Sequence, residues 1–142
     1  MRTLAAAVVV VLLSAVPVRA QEASLDSTFR HIVGLWQRGN AAAVAALVAA
    51  DGLSLELDGR PMGPLPARQA AASLRRLFEQ RETLSVEPGM RGEMAGDPTR
   101  AFGEFDWVTR LRGTTVPERN TVFLALEREA DRWRVTEIRV LR

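Results

Sequence analysis

The side chains able to do chemistry are few, and their types restrict what the chain can catalyse. There is one histidine, His31, with no cysteine and no tyrosine. Without cysteine there is no disulfide, no thiolate nucleophile and no cysteine-held zinc. A histidine base needs a pocket and a positioned partner. His31 falls opposite the apolar stripe of its own helix, so it is expected on the surface, and no metal site or cofactor is expected. The remaining candidates are acids. Glu104 and Asp106 lie two apart in a long strand-like run, beside Arg110 and Arg112. A carboxylate buried there would have a raised pKa, but cross-strand pairing with arginine accounts for the same pattern. No residue is therefore assigned a catalytic role.

The elements that must position these groups follow from periodicity. Leu25, Phe29, Ile32, Val33 and Trp36 recur at helical spacing. Gly39 is suited to end that helix, and Ser24 or Asp26 to begin it. Asn40 caps a second, alanine-rich helix expected over 41–50. Leu53, Leu55 and Leu57 alternate with polar residues as in a half-buried strand. Asp58-Gly59 is a hairpin-type turn. Residues 60–66, with three prolines and a glycine, are expected to be an irregular connection. Ala70, Leu74, Leu77 and Phe78 then mark a third helix.

From Arg81 onward the period changes to that of strands. Thr83 to Glu87 is a short one that can continue to Met94. Thr99 to Arg112 is the longest, with Ala101, Gly103, Phe105, Trp107, Thr109 and Leu111 on one face. The other face carries Phe102, Glu104, Asp106, Val108 and Arg110. Thr121 to Arg128 is apolar on both faces, as in a central strand. In the last strand, Arg132 to Leu141, the apolar phase shifts between Val135 and Ile138, which predicts a bulge near Thr136.

Residues 1–20 have the form of a cleavable secretory signal. Arg2 opens it, Leu4 to Val16 is apolar apart from Ser14, and Val18-Arg19-Ala20 fits a small-x-small cleavage site. The apolar run is too short for a comfortable bilayer span, so no membrane span is expected after cleavage. Residues 21–24 form a tail and 25–142 one domain, with a periplasmic or secreted location. All 19 basic residues are arginine, and Arg2 and Arg19 leave with the signal. The mature chain then balances 17 arginines against 17 acids, interspersed rather than in stripes. That excludes the basic footprint of a nucleic-acid binder.

The order helix, helix, strand, helix and antiparallel meander resembles the nuclear transport factor 2-like cone, shared with ketosteroid isomerase-like and polyketide cyclase-like proteins. Its anchors are Ile32-Val33 through Arg38-Gly39-Asn40, Gln69-Ala70 to Leu77-Phe78, Ala101-Phe102-Gly103 and Trp133-Arg134-Val135. More narrowly, the chain is similar to small secreted proteins of a domain-of-unknown-function family in that superfamily, described mainly from Bacteroidota. The resemblance implies an α+β fold: a curved antiparallel sheet forming a cone, with three helices on its concave side. It also implies a cavity in the cone, in enzymes furnished with an acid or histidine and often a tyrosine.

On this reading Trp36, Met62, Phe78, Phe105 and Trp107 either line an apolar pocket or fill it as core. Phe102, Asp106, Val108 and Arg110 belong to an outer sheet face too apolar for a purely solvated one. Val122 or Phe123 and Ile138 extend that face, and relatives often dimerise through it. The expected role is a non-catalytic exported homodimer that binds a small apolar molecule or an envelope protein. The alternatives are an isomerase, dehydratase or cyclase with a pocket in the cone, and a pure interaction module with the cone filled.

Overall fold

A computed structural model describes residues 24–142, so the expected signal segment 1–20 and residues 21–23 lie outside the described residues. Helix α1 spans Leu25–Gln37 and α2 spans Ala41–Ala45. Strands β1 (Leu53–Leu57) and β2 (Arg60–Leu65) precede α3 (Ala67–Gln80). Strands β3 (Arg81–Met94), β4 (Asp97–Leu111), β5 (Pro117–Glu129) and β6 (Arg132–Leu141) complete the chain. The six strands form one sheet in the order β2-β1-β6-β5-β4-β3.

Local chemistry sets the helix ends. Ser24 Oγ accepts from Ser27 N–H at 3.0 Å, and Asn40 Oδ1 accepts from Ala43 N–H at 3.1 Å. Gly39 has φ +62°, and its N–H donates to Trp36 O at 2.9 Å, closing α1. A residue with a side chain would be strained there. The second helix is shorter than its alanine content suggests. After Ala45 the chain turns so that Leu47 O accepts from Val135 N–H at 2.8 Å and Ala49 N–H donates to Val135 O at 2.9 Å. Pairing with β6 beyond the reach of β1 replaces further helix.

The sheet is mixed rather than wholly antiparallel. β3 to β6 form an antiparallel meander and β1–β2 a hairpin, but β1 joins β6 in parallel, Leu55 opposite Ile138. Residues 60–65 are strand β2, not an irregular connection. Their prolines are tolerated because β2 is an edge with a neighbour on one side only. β3 is longer than the Thr83–Glu87 core and has irregular register at Thr83/Ser85, Pro88/Arg91 and Glu93/Met94. Such bulges bend and twist a strand. The expected bulge in β6 is present: Ala125 pairs with Glu137 and Leu126 with Val135, leaving Thr136 extra.

One face of the sheet is core. Ala101, Phe105 and Trp107 of β4, Val122, Leu124 and Leu126 of β5, and Val135, Ile138 and Val140 of β6 are buried. Ile138, expected on the outer face, is therefore inward, because the bulge at Thr136 restores its phase. Of the Val122/Phe123 pair, Val122 is the inward member and Phe123 the outward one. Helix α1 lies on β3 and β4, and α3 packs on α2 and the first strands. Gly103 makes this approach possible: a Cβ there would stand 2.5 Å from Phe29 Cε2.

Candidate functional site

The concave interior is filled by aromatic rings. Trp36 of α1 is fully buried and meets three others edge-on: Phe78 at 5.1 Å, Trp107 at 5.3 Å and Phe105 at 5.5 Å between centroids. Phe29 adds a further edge contact to Phe105 at 6.4 Å. Edge-to-face pairs of this kind add about 0.5–1.5 kcal/mol each beyond their buried area. Four of the expected pocket residues, Trp36, Phe78, Phe105 and Trp107, thus touch one another as packed core. Met62 does not join them. It is exposed on β2, in a surface groove of about 480 Å³ with Leu57, Arg76 and Leu77. Its partner Leu55 is buried on the same face, but Met62 stands on the edge strand, outside the packed rings.

A polar seam lies beside the rings. Arg81 follows the last residue of α3 directly and begins β3, and its side chain is 3% exposed. Its Nη1 donates to Asn120 Oδ1 at 3.2 Å and its Nη2 to Asp58 Oδ1 at 2.8 Å. Asn120 Nδ2 donates in turn to Trp107 O and Thr109 Oγ1, each at 3.2 Å. Trp107 Nε1 donates to Thr83 Oγ1 at 3.0 Å. The Arg81 guanidinium carbon lies 5.9 Å from the Trp107 ring centre, within cation–π range. Arg142 reaches the same Asp58 at 3.4 Å.

Arg81 and Asn120 escape a reading that tests only the long strand for inward polar groups. The alternation Asn120, Val122, Leu124, Leu126 places Asn120 inward if it is extended back by one step. Arg81 has no such signal beyond its place at a helix–strand junction. Chemically the seam is committed: Asn120 and Thr109 are neutral, and the arginine cannot act as a base.

The outer face of β4 is half-buried throughout, from Phe102 to Arg110. Asp106 pairs with Arg119 of β5, Oδ2 to Nη1 at 2.9 Å. Arg110 Nη2 donates to Glu82 Oε2 of β3 at 2.6 Å, and this bond and charge hold the Glu82 carboxyl below its ordinary value. Phe102 stands opposite Ala125, Glu104 opposite Phe123 and Val108 opposite Arg119. The pairing expected of Glu104 and Asp106 with neighbouring arginines thus involves Asp106, and through Arg119 rather than Arg110. His31 is exposed on α1.

A second groove, of about 390 Å³, opens where the ends of α1 and α3 meet the start of β3 and the end of β4. Phe78, the most exposed ring of the interior, lies in its wall, with Arg38, Arg75, Glu79, Glu82 and Arg112 around it. Arg112 Nε donates to Glu79 O at 2.6 Å and so caps the end of α3.

This architecture can be compared with known proteins. A domain-of-unknown-function 4783 family protein from Bacteroides uniformis superposes with a TM-score of 0.68 at 13% identity, over 80% of this chain and 94% of that one. The chain has the nuclear transport factor 2-like fold. A ketosteroid isomerase-like protein from Catenulispora acidiphila, solved with trimethylamine, matches at TM-score 0.58 and 18% identity, over 78% of this chain and 84% of that one. A putative calcium/calmodulin-dependent protein kinase type II association domain from Thiobacillus denitrificans matches at 0.62 and 15% identity, over 82% and 93%. No protein-family model matches the chain, and no curated protein matches it in sequence. At these identities the nuclear transport factor 2-like likeness concerns the fold alone.

Proposed function

We propose that this nuclear transport factor 2-like chain is an exported, non-catalytic association domain in which two copies pack through the outer faces of β4 and β5. The observation that carries the reading is the packed interior: Trp36, Phe105 and Trp107 are at most 1% exposed and touch one another. Rings in contact leave no room among them for a substrate or an apolar ligand. The enzyme reading also needs an acid or base turned into the cone. The inward polar groups described, Arg81, Asn120 and Thr109, hold one another.

Function then falls to the surface. The outer face of β4 and β5 sets Phe102, Val108 and Phe123 among charges of both signs, with Glu104 and Asp106 in one row and Arg110 and Arg119 near them. Such a patch is complementary to itself when turned by a two-fold axis, since each acidic row meets a basic one. A partner of one net charge would be poorly matched. Among the proteins of similar fold, two are described as association domains. Export rests on residues 1–20, with their basic start, apolar run and small-x-small end.

The test is sedimentation equilibrium of the mature chain beside Val108→Asp. The wild type is expected at twice the chain mass. Val108→Asp places a carboxylate at the centre of the patch and is expected at the monomer mass with unchanged circular dichroism. A wild type that remains monomeric up to its solubility limit overturns the proposal.

A further inference from the structure

The groove between the ends of α1 and α3 has features of a ligand site that the packed interior lacks. Four arginines line it, Arg38, Arg75, Arg81 and Arg112, against two glutamates, Glu79 and Glu82. Their existing commitments sort them. Arg81 is spent on Asp58 and Asn120, and Glu82 is spent on Arg110. Arg112 uses Nε and Nη2 on the carbonyls of Glu79 and Phe78, which turns its guanidinium to the groove wall. The side chains of Arg38 and Arg75 have no hydrogen bond or ion pair with any described residue.

Position supports the same reading. Gly34, one turn before Arg38, borders that guanidinium: a Cβ there would stand 3.4 Å from Arg38 Nη1. Gly39, at φ +62°, turns the chain at the end of α1 beside Phe78, whose Cβ would be in ordinary contact, 3.6 Å, with a Cβ at position 39. Phe78 thereby supplies an apolar surface within a basic rim. Guanidinium forks suit planar oxyanions, which they can bind through two parallel hydrogen bonds. The groove's charged side chains without a partner among the described residues are Arg38 and Arg75 against Glu79, two positive against one negative, which suits a single negative charge. The volume, about 390 Å³, is at the small end of ligand pockets.

We infer that this groove binds a small organic carboxylate, its head between Arg38 and Arg75 and its body against Phe78. The inference does not depend on dimer formation, since the groove lies at the helix ends and touches the proposed interface only through the Glu82–Arg110 pair.

Benzoate is the probe, titrated into the mature protein at constant ionic strength and followed by the arginine Nε–H resonances. Saturable shifts are expected at Arg38, Arg75 and Arg112. Arg75→Glu is expected to weaken binding about tenfold or more, the worth of a charge-assisted hydrogen bond. Arg68→Glu makes the same charge change elsewhere on α3 and is expected to leave binding within twofold. Glu79→Gln is expected to tighten it. Acetate, with the same head and no ring, is expected to bind several-fold more weakly.

Shifts that never saturate, or that appear equally at all arginines, overturn the site. So does equal weakening by Arg68→Glu and Arg75→Glu, which would leave only general electrostatic attraction. Acetate binding as tightly as benzoate overturns the role given to Phe78. Both variants change exposed residues, and circular dichroism checks that each remains folded.

Discussion

The two faces of β4 are built from alternate residues of one strand and do different work. Inward, Ala101, Phe105, Trp107 and Thr109 are at most 1% exposed, and their neighbours are aromatic rings or a bound amide. Outward, Phe102 to Arg110 are all half-buried, and the two pairs formed there, Asp106–Arg119 and Glu82–Arg110, run across strands. The inner face is packed with rings in contact with one another. The outer face keeps apolar area that a single chain does not cover. On the proposal above, the same period-two alternation separates stability from association.

The largest expected effect tests the inner face. Trp107→Ala should lower unfolding free energy by about 3–5 kcal/mol in urea titrations, since a large aromatic leaves a cavity among rigid neighbours. An unchanged midpoint would mean that the two faces are inverted. Arg81→Met should cost about 2 kcal/mol, because Asn120 loses a charge-assisted partner while Asp58, half-exposed, regains water. Gly103→Ala should cost about 1–3 kcal/mol by forcing Phe29 from its seat, and the double change with Phe29→Ala should cost less than the sum of the two single changes. A Gly103→Ala chain as stable as the parent would show that α1 does not press on β4 as described.

Acid titration gives the smallest effect. Hydrogen bonding from Arg91, then the charge of Arg30, holds the Asp26 carboxyl below its ordinary value. The unfolded chain therefore takes up that proton first. The contribution is fully present above the ordinary carboxylate pKa and is lost as pH falls through the lowered folded value. Asp26→Asn should be slightly less stable than wild type at pH 7, and the gap should close as pH falls below the ordinary carboxylate range. A gap that persists in acid would assign the loss to capping or packing instead.

Much of this was legible in the sequence where periodicity meets burial. The stripe from Phe29 to Trp36, the inward set from Ala101 to Thr109 and the bulge at Thr136 each follow from a phase that only one backbone can satisfy. Strand β2 was not legible, because Pro61 and Pro64 speak against a strand unless its edge position is known. The early end of α2 was hidden too: alanine favours helix, and only β6 offers Leu47 and Ala49 a better hydrogen bond. Ile138 was misplaced on the outer face because the phase before the bulge was carried past it. Met62 was grouped with the rings by its apolar character, although β2 places it on the surface. Arg81 and the groove between α1 and α3 depend on residues far apart in sequence, so no local pattern announces them.

The association claim is tested most directly by pulsed dipolar electron resonance, for which the absence of cysteine makes single labelling clean. One nitroxide is attached at Glu104→Cys on the outer face, and in a separate sample at His31→Cys on α1. The account predicts a defined intermolecular distance for position 104 that is shorter than the one for position 31. No dipolar modulation from either site, or a shorter distance from position 31, would contradict it.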